Sequence, residues 1–263
     1  MSDTGQAHII AIANQKGGVG KTTTAINLAA ALTEQGKKVL VIDLDPQGNA
    51  STGLGVSPEA RDFTTYDLLI EAMPLGDIVM TTRIDGLSIC CATQDLASAD
   101  IQLVANEKRS LLLRDALREG LPQFDFDYVL IDCPPSLSLL TVNAMIAADS
   151  VLVPLQSEFY ALEGLSQLML TIRQVRQTAN PDLRIEGVLL TMYDGRNNLS
   201  QQVEADAREN LGELVFRTII PRNVRVSEAP SFAMPVLSYD SNSRGSVAYR
   251  SLAQEMADRH AGV

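Results

Sequence analysis

Short runs of branched apolar residues recur along the chain, too continuous in hydrophobicity for strands with one face in water. They fall at residues 9–13, 38–42, 87–92, 128–131 and 150–155, and again around Val188-Leu189-Leu190 within 184–193. Such runs read as strands buried on both faces, the habit of parallel sheets. Between them the apolar period lengthens to that of helices. Ile26, Leu28, Ala29, Ala30 and Leu32 mark an alanine-rich helix over 23–35 that stops at Gly36. A short helical piece follows at 65–71, two leucine-rich helices at 96–119, and a long helix ending near 177. A further helix and a short strand precede Ile219, and a final helix covers 246–259. A strand, a helix and a strand within 9–43 make a right-handed crossover between parallel strands. The pattern predicts one α/β domain over 1–263: a doubly wound, mostly parallel sheet flanked by helices, with residues 1–8 as a flexible N-terminus.

The first strand breaks into Lys16-Gly17-Gly18-Val19-Gly20-Lys21-Thr22 and reopens as the first helix. Glycines at 17, 18 and 20 let backbone amides turn inward, and the helix start adds free N–H groups and the positive end of its dipole. This is an anion site. Lys21 can set its ammonium between β- and γ-phosphates, and the Thr22 hydroxyl can ligate Mg²⁺. Two further strands end in acids, Asp43 with Asp45 beyond it and Asp132 before Cys133-Pro134-Pro135. In an open α/β sheet these ends lie on the ligand-binding edge, beside the phosphate loop, where Asp132 can hold a Mg²⁺-bound water. Taken alone, Asp45-Pro46 also fits an ordinary turn.

Gln15 stands where a common phosphate loop has its first glycine, and Lys16 follows as an additional lysine. The wording from Asn14 to Thr24 resembles the deviant Walker A motif of the ParA/MinD ATPases, and most closely that of chromosomal, Soj-type ParA proteins. The resemblance implies ATP and Mg²⁺ as cofactors, with Gly17, Gly18, Val19, Gly20, Lys21, Thr22 and Thr23 around the phosphates. It implies catalytic roles for Lys16, Lys21 and Asp45. Lys16 would reach the partner's phosphates across a nucleotide-sandwich homodimer, and Asp45 would orient the attacking water. Asp43 becomes a weaker candidate for outer-shell Mg²⁺ contact beside Asp132. Met192, Pro221 and Asn223 match positions lining the adenine pocket, while Arg196 and Arg225 match positions used for non-specific double-stranded DNA binding. The activity implied is a slow ATPase stimulated by a ParB-like centromere-binding protein.

Composition narrows this picture. Hydrophobic residues are 46% and charged residues 20% of 263, enough for a core and too little charge for disorder. The net charge of −11 means that DNA binding needs a local basic face. The polar start of the chain lacks a signal-peptide pattern, and the longest apolar stretch, 137–155, is interrupted by Asn143 and Asp149. A cytoplasmic, nucleoid-associated protein is expected, with no membrane partner. The last helix places Val247, Tyr249, Leu252, Ala253, Met256 and Ala257 on an apolar side, and its Arg250 and Arg259 are balanced by Glu255 and Asp258. That balance disfavours a MinD-like positioning ATPase held on membranes by a basic helix. A metal-cluster carrier of the same superfamily is the other alternative, but Cys90, Cys91 and Cys133 lack ligand spacing and read as buried thiols. Residues 51–86 carry no assignable chemistry.

Overall fold

Residues with two buried faces can pair only inside a sheet, and all of the apolar runs do so. The computed structural model describes residues 7–158 and 161–261. Its strands are β1 (His8–Ile12), β2 (Val39–Asp43), β3 (Met80–Thr81), β4 (Leu87–Cys90), β5 (Tyr128–Asp132), β6 (Ser150–Gln156) and β7 (Arg184–Thr191). They form one seven-stranded sheet in the order β3-β4-β2-β5-β1-β6-β7, parallel throughout except for β3 against β4. Every residue of β2 and β5 is buried.

The period of two sends alternate strand residues to two helical layers. Ile10, Ile12, Val39 and Val41 face one layer, with the helix Lys21–Glu34 and the final helix Arg244–Ala261, which contributes Tyr249, Leu252, Ala253 and Met256. Ile9, Ala11, Leu40 and Ile42 face the other, where the helices Leu112–Gly120, Leu139–Ala147 and Ala161–Thr178 pack. The doubly wound sheet flanked by helices is therefore present as expected.

Several expectations change. The flexible N-terminus is shorter at its inner end, because Ala7 is buried and His8 opens β1; residues 1–6 of that expectation, and the last two of the chain, lie outside the described residues. The two helices expected over 96–119 become a 3₁₀ turn at Gln94–Ser98, a single turn at Ala99–Gln102 and a helix at Leu112–Gly120. The intervening backbone bonds to side chains instead: Asn106 Oδ1 accepts from the Lys108 amide, and Asn143 Nδ2 donates to the Arg109 carbonyl. The short strand before Ile219 reduces to one bridge, Val188 with Val215. Val247 is 54% exposed rather than on the docked side of the last helix. The charges of that helix serve its docking: Arg250 pairs with Glu34 of the first helix, and Glu255 accepts the amides of Arg217 and Thr218 at 2.8 Å each.

Candidate nucleotide site

β1 delivers the chain to the phosphate loop with its backbone already tied down. Asn14 Nδ2 donates to the Pro154 carbonyl of β6 at 2.8 Å, and Asn14 Oδ1 accepts from the Lys16 amide at 3.0 Å. From the other side Thr191 Oγ1 donates to the Val19 carbonyl at 2.8 Å. Gly18 (φ 74°) and Gly20 (φ 87°) hold left-handed conformations that a side chain would strain. Gly20 precedes the helix Lys21–Glu34, and no side chain caps that helix start. Its first amides are therefore available to an anion. Lys21 Nζ donates to the Lys16 carbonyl at 3.0 Å, closing the loop over itself. Desolvation lowers the Lys21 pKa, opposed by the nearby charges of Asp132 and Asp45.

The acids at the strand ends behave differently from one another. Asp43 and Asp132 are register partners at the ends of β2 and β5. Both are fully buried. Asp43 Oδ2 accepts from the Ser51 hydroxyl at 2.7 Å and the Ser51 amide at 2.9 Å, and its Oδ1 accepts from the Asp45 amide at 3.2 Å. Burial pushes its pKa up to about 6 against those bonds. Both oxygens are thus engaged in bracing the loop after β2, so the outer-shell Mg²⁺ contact expected of Asp43 competes with its structural bonds. Neither oxygen of Asp132 has a donor at ordinary hydrogen-bond geometry, and the Thr22 side chain is the nearest to supplying one. Burial and the Asp43 charge hold its pKa well above the usual carboxylate range, with Thr22 and Lys21 acting in the opposite direction. A buried carboxylate left without donors costs free energy, which a cation's shell would recover. Asp45 is 8% exposed, and its Oδ1 accepts from the Gln47 amide at 3.0 Å.

The phosphate loop and Asp45 open onto one cavity of about 810 Å³, with Asp43 and Asp132 buried behind its lining, in the range of small-molecule sites. Gly17, Gly18, Gly20, Lys21, Thr22 and Thr23 line one side with Asp45. Met192, Pro221 and Asn223 line another. β7 ends at Thr191, and Met192 takes a left-handed turn (φ 49°). The Tyr193 amide then donates to the Ile220 carbonyl at 3.1 Å, which pins the Pro221 segment over the cavity. Asn223 Oδ1 caps the short helix Val224–Glu228 through the Arg225 amide at 2.8 Å. The loop residues expected around the phosphates, Val19 excepted, and the three expected at the adenine thus line one space. Val19 is buried beneath the loop.

The Lys16 side chain turns aside to Glu158, Nζ to Oε2 2.5 Å. Arg196 pairs with Asp194 at 3.0 Å and is 91% exposed, whereas Arg225 pairs with Glu228 at 2.9 Å and Asp240 at 3.3 Å. Arg222 and Arg244 share a surface depression with Arg196. Sequence reading placed Arg222 only within the adenine-side segment 221–223, and it missed Arg244, Thr191 and Ser51. Thr191 had a signal, since it ends a parallel strand at the ligand edge. In the segment 51–86, Ser51 and Arg61 brace the loop after β2 from behind: Ala92 N donates to Ser51 Oγ, and Arg61 donates to the carbonyls of Ala92 and Val56.

A glycine-rich loop between strand and helix, a lysine at the helix start and a bare acid on the neighbouring strand define a P-loop nucleotide-binding protein, and the acid, amides and lysine fit a nucleotide with its divalent cation. A family profile described as an AAA domain matches residues 7–185. The chromosome partitioning protein ParA of Caulobacter vibrioides is 57% identical over 251 residues, covering 95% of this chain and 94% of that one. The sporulation initiation inhibitor protein Soj of Bacillus subtilis is 51% identical over 249 residues, covering 95% and 98%. The chain belongs to the ParA/Soj family of chromosome-partitioning ATPases. Among solved structures, a cobyrinic acid a,c-diamide synthase from Mycobacterium smegmatis with bound ADP and magnesium superposes with a TM-score of 0.81 at 39% identity, over 95% of this chain and 93% of that one. Among the described residues no helix is long and apolar enough to cross a membrane.

Proposed function

We propose that this chain is a partitioning ATPase whose ATP-bound sandwich dimer binds double-stranded DNA without sequence preference and is released by hydrolysis. One observation carries the reading: Asp132, fully buried at the end of β5, keeps both carboxylate oxygens free beside Thr22 and Lys21. Thr22 and Asp132 would hold Mg²⁺, the hydroxyl directly and the carboxylate through water, with Asp43 behind them. The cation supplies charge neutralisation at the phosphates. The amides of Gly17 to Thr23 bind and orient the polyphosphate, and Lys21 places its charge against the terminal groups. Asp45, held by the Gln47 amide at the cavity wall, orients the attacking water. Met192, Pro221 and Asn223 bound the base.

Lys16 acts in trans in this reading: it leaves Glu158 and meets the partner's phosphates, so that dimer closure and hydrolysis share one residue. Arg196 and Arg225 supply phosphate contacts for DNA, doubled by the dimer. The net charge of −11 favours approach of a cationic segment of a ParB-like protein that stimulates a slow basal rate. Such a protein works in the cytoplasm on the nucleoid. The metal-cluster alternative loses support, because Cys133 is 1% exposed and its Sγ faces the Ile131 carbonyl.

The test is size exclusion and DNA retention with ATP and with ADP. Wild type should dimerise and retain on plain duplex with ATP alone. Lys16→Ala should bind nucleotide and stay monomeric, and Asp45→Ala should accumulate as a stable ATP-bound dimer on DNA. An Asp45→Ala protein that remains monomeric, or a wild type indifferent to ATP in both assays, sinks the reading.

A further inference from the structure

The chain has two histidines, at nearly opposite ends of the sequence, and the fold brings them together. His8 opens β1, and His260 lies in the last turn of the final helix. Both rings meet Glu186 of β7 at the start of the strands, the edge opposite the nucleotide cavity. His8 Nε2 is 3.4 Å from Glu186 Oε2, and His260 Nε2 is 2.9 Å from Oε1. The ring centroids are 4.5 Å apart. One ligand atom from each of the three residues can be chosen so that all lie within 4.8 Å of one another.

The outer nitrogens are also engaged. His8 Nδ1 faces Asp149 Oδ2 at 3.7 Å, and His260 Nδ1 faces the Tyr128 hydroxyl at 3.3 Å. Ser150 Oγ donates to Glu186 Oε2 at 2.6 Å. Each imidazole therefore turns Nε2 inward to a shared carboxylate and Nδ1 outward to an oxygen, the arrangement that orients histidine ligands in metal centres. The Glu186 side chain is only 6% exposed, while those of His8 and His260 are 34% and 27% exposed.

We propose that His8, Glu186 and His260 form a divalent transition-metal site suited to Zn²⁺, with water as the fourth ligand. Tetrahedral bonds of about 2.0 Å separate ligand atoms by roughly 3.3 Å; His8 Nε2 and His260 Nε2 stand 3.4 and 2.9 Å from the two separate oxygens of Glu186, and three ligand atoms, one from each residue, lie within 4.8 Å of one another. Two nitrogens and one carboxylate oxygen suit Zn²⁺ over Mg²⁺, which prefers oxygen ligands. One bound ion would answer the buried Glu186 charge without placing two imidazolium rings side by side. It would also clasp β1 and the final helix to β7, far from the chemistry at the phosphate loop.

The experiment uses the full, untagged chain, stripped with EDTA and free of nucleotide, titrated with ZnSO₄ and separately with CoCl₂. One equivalent of Zn²⁺ should bind at micromolar concentration or tighter and raise the unfolding midpoint. Co²⁺ should give the visible absorption of tetrahedral coordination. His260→Gln and Glu186→Gln should each weaken binding at least about 100-fold, and Asp149→Asn, whose carboxylate meets both the outer nitrogen of His8 and the Ile9 amide, about tenfold. His260→Gln alters a part-exposed ring in the last helical turn, so it decides the matter if Glu186→Gln fails to fold. No saturable Zn²⁺ uptake by wild type, or uptake unchanged in a folded His260→Gln protein, overturns the site.

Discussion

Lys16 and Glu158 stand 2.5 Å apart within a single chain, with 39% and 47% of their side chains exposed. A second bond from Gln156 Nε2 holds Glu158 in place. The lysine that would act across a dimer is thus restrained by an acid just past β6.

An exposed pair of this kind is worth no more than about 1 kcal/mol, so releasing it should be a modest effect of definite sign. Because a closed dimer releases two such pairs, Glu158→Gln should tighten ATP-dependent dimerisation by up to about 30-fold, read by analytical ultracentrifugation across a concentration series. Weaker dimerisation in that variant would mean that Glu158 helps the closed state instead of restraining the open one.

Asp132 sets stability against ligand binding. Replacing its bare buried carboxylate by the neutral amide in Asp132→Asn should stabilise the nucleotide-free protein by about 1 kcal/mol, roughly 2–4 °C in Tm for a chain of this size. The same variant should lose most of the added stabilisation from Mg²⁺ with ATP. Thermal melts with and without the ligand check both signs, and a fall in the nucleotide-free Tm would contradict the assignment of Asp132 as a carboxyl whose ionisation burial opposes.

For DNA, Arg196 has one acidic partner and Arg225 has two. Arg196 gives up less on reaching a phosphate. Arg196→Ala should therefore cost more affinity than Arg225→Ala. Each should flatten the salt slope of dimer binding by about two, because either variant removes one phosphate-binding guanidinium from each protomer. Salt titrations on unrelated duplexes provide the measurement. Equal slopes in wild type and both variants, with dimerisation intact, would put the DNA face elsewhere.

The thiols should be silent in the folded protein. Cys90, Cys91 and Cys133 are at most 1% exposed; burial pushes the Cys91 pKa up to about 11 and those of Cys90 and Cys133 higher. A disulfide reagent at pH 8 should therefore label the native chain very slowly and all three thiols promptly in denaturant. Rapid native labelling of one thiol would reveal an opening near the end of β2, β4 or β5.

Much of the nucleotide site was legible because its rules are local. Glycines at 18 and 20 take the left-handed turns that the loop requires, Lys21 opens the helix, and an acid ends a buried strand whatever lies beside it. The adenine-side positions followed only from resemblance, since nothing local in Met192 or Pro221 marks a pocket. Asp43 and Asp132 looked alike in sequence, each an acid after a branched run. Ser51, eight residues beyond Asp43 and folded back onto it, joins the Asp45 amide in making Asp43 a brace, and Asp132 has no such loop over it.

By itself the sequence determined the alternation of buried strands and helices, the parallel sheet and the phosphate loop, because periodicity, glycine conformation and helix starts depend on neighbours within a few residues. Tertiary structure alone decided that β5 lies between β1 and β2, that Lys16 meets Glu158 and that His8 meets His260 on Glu186. Those pairings join residues far apart in the chain, where loop length sets little of the cost and the choice among partners is made by how whole faces pack.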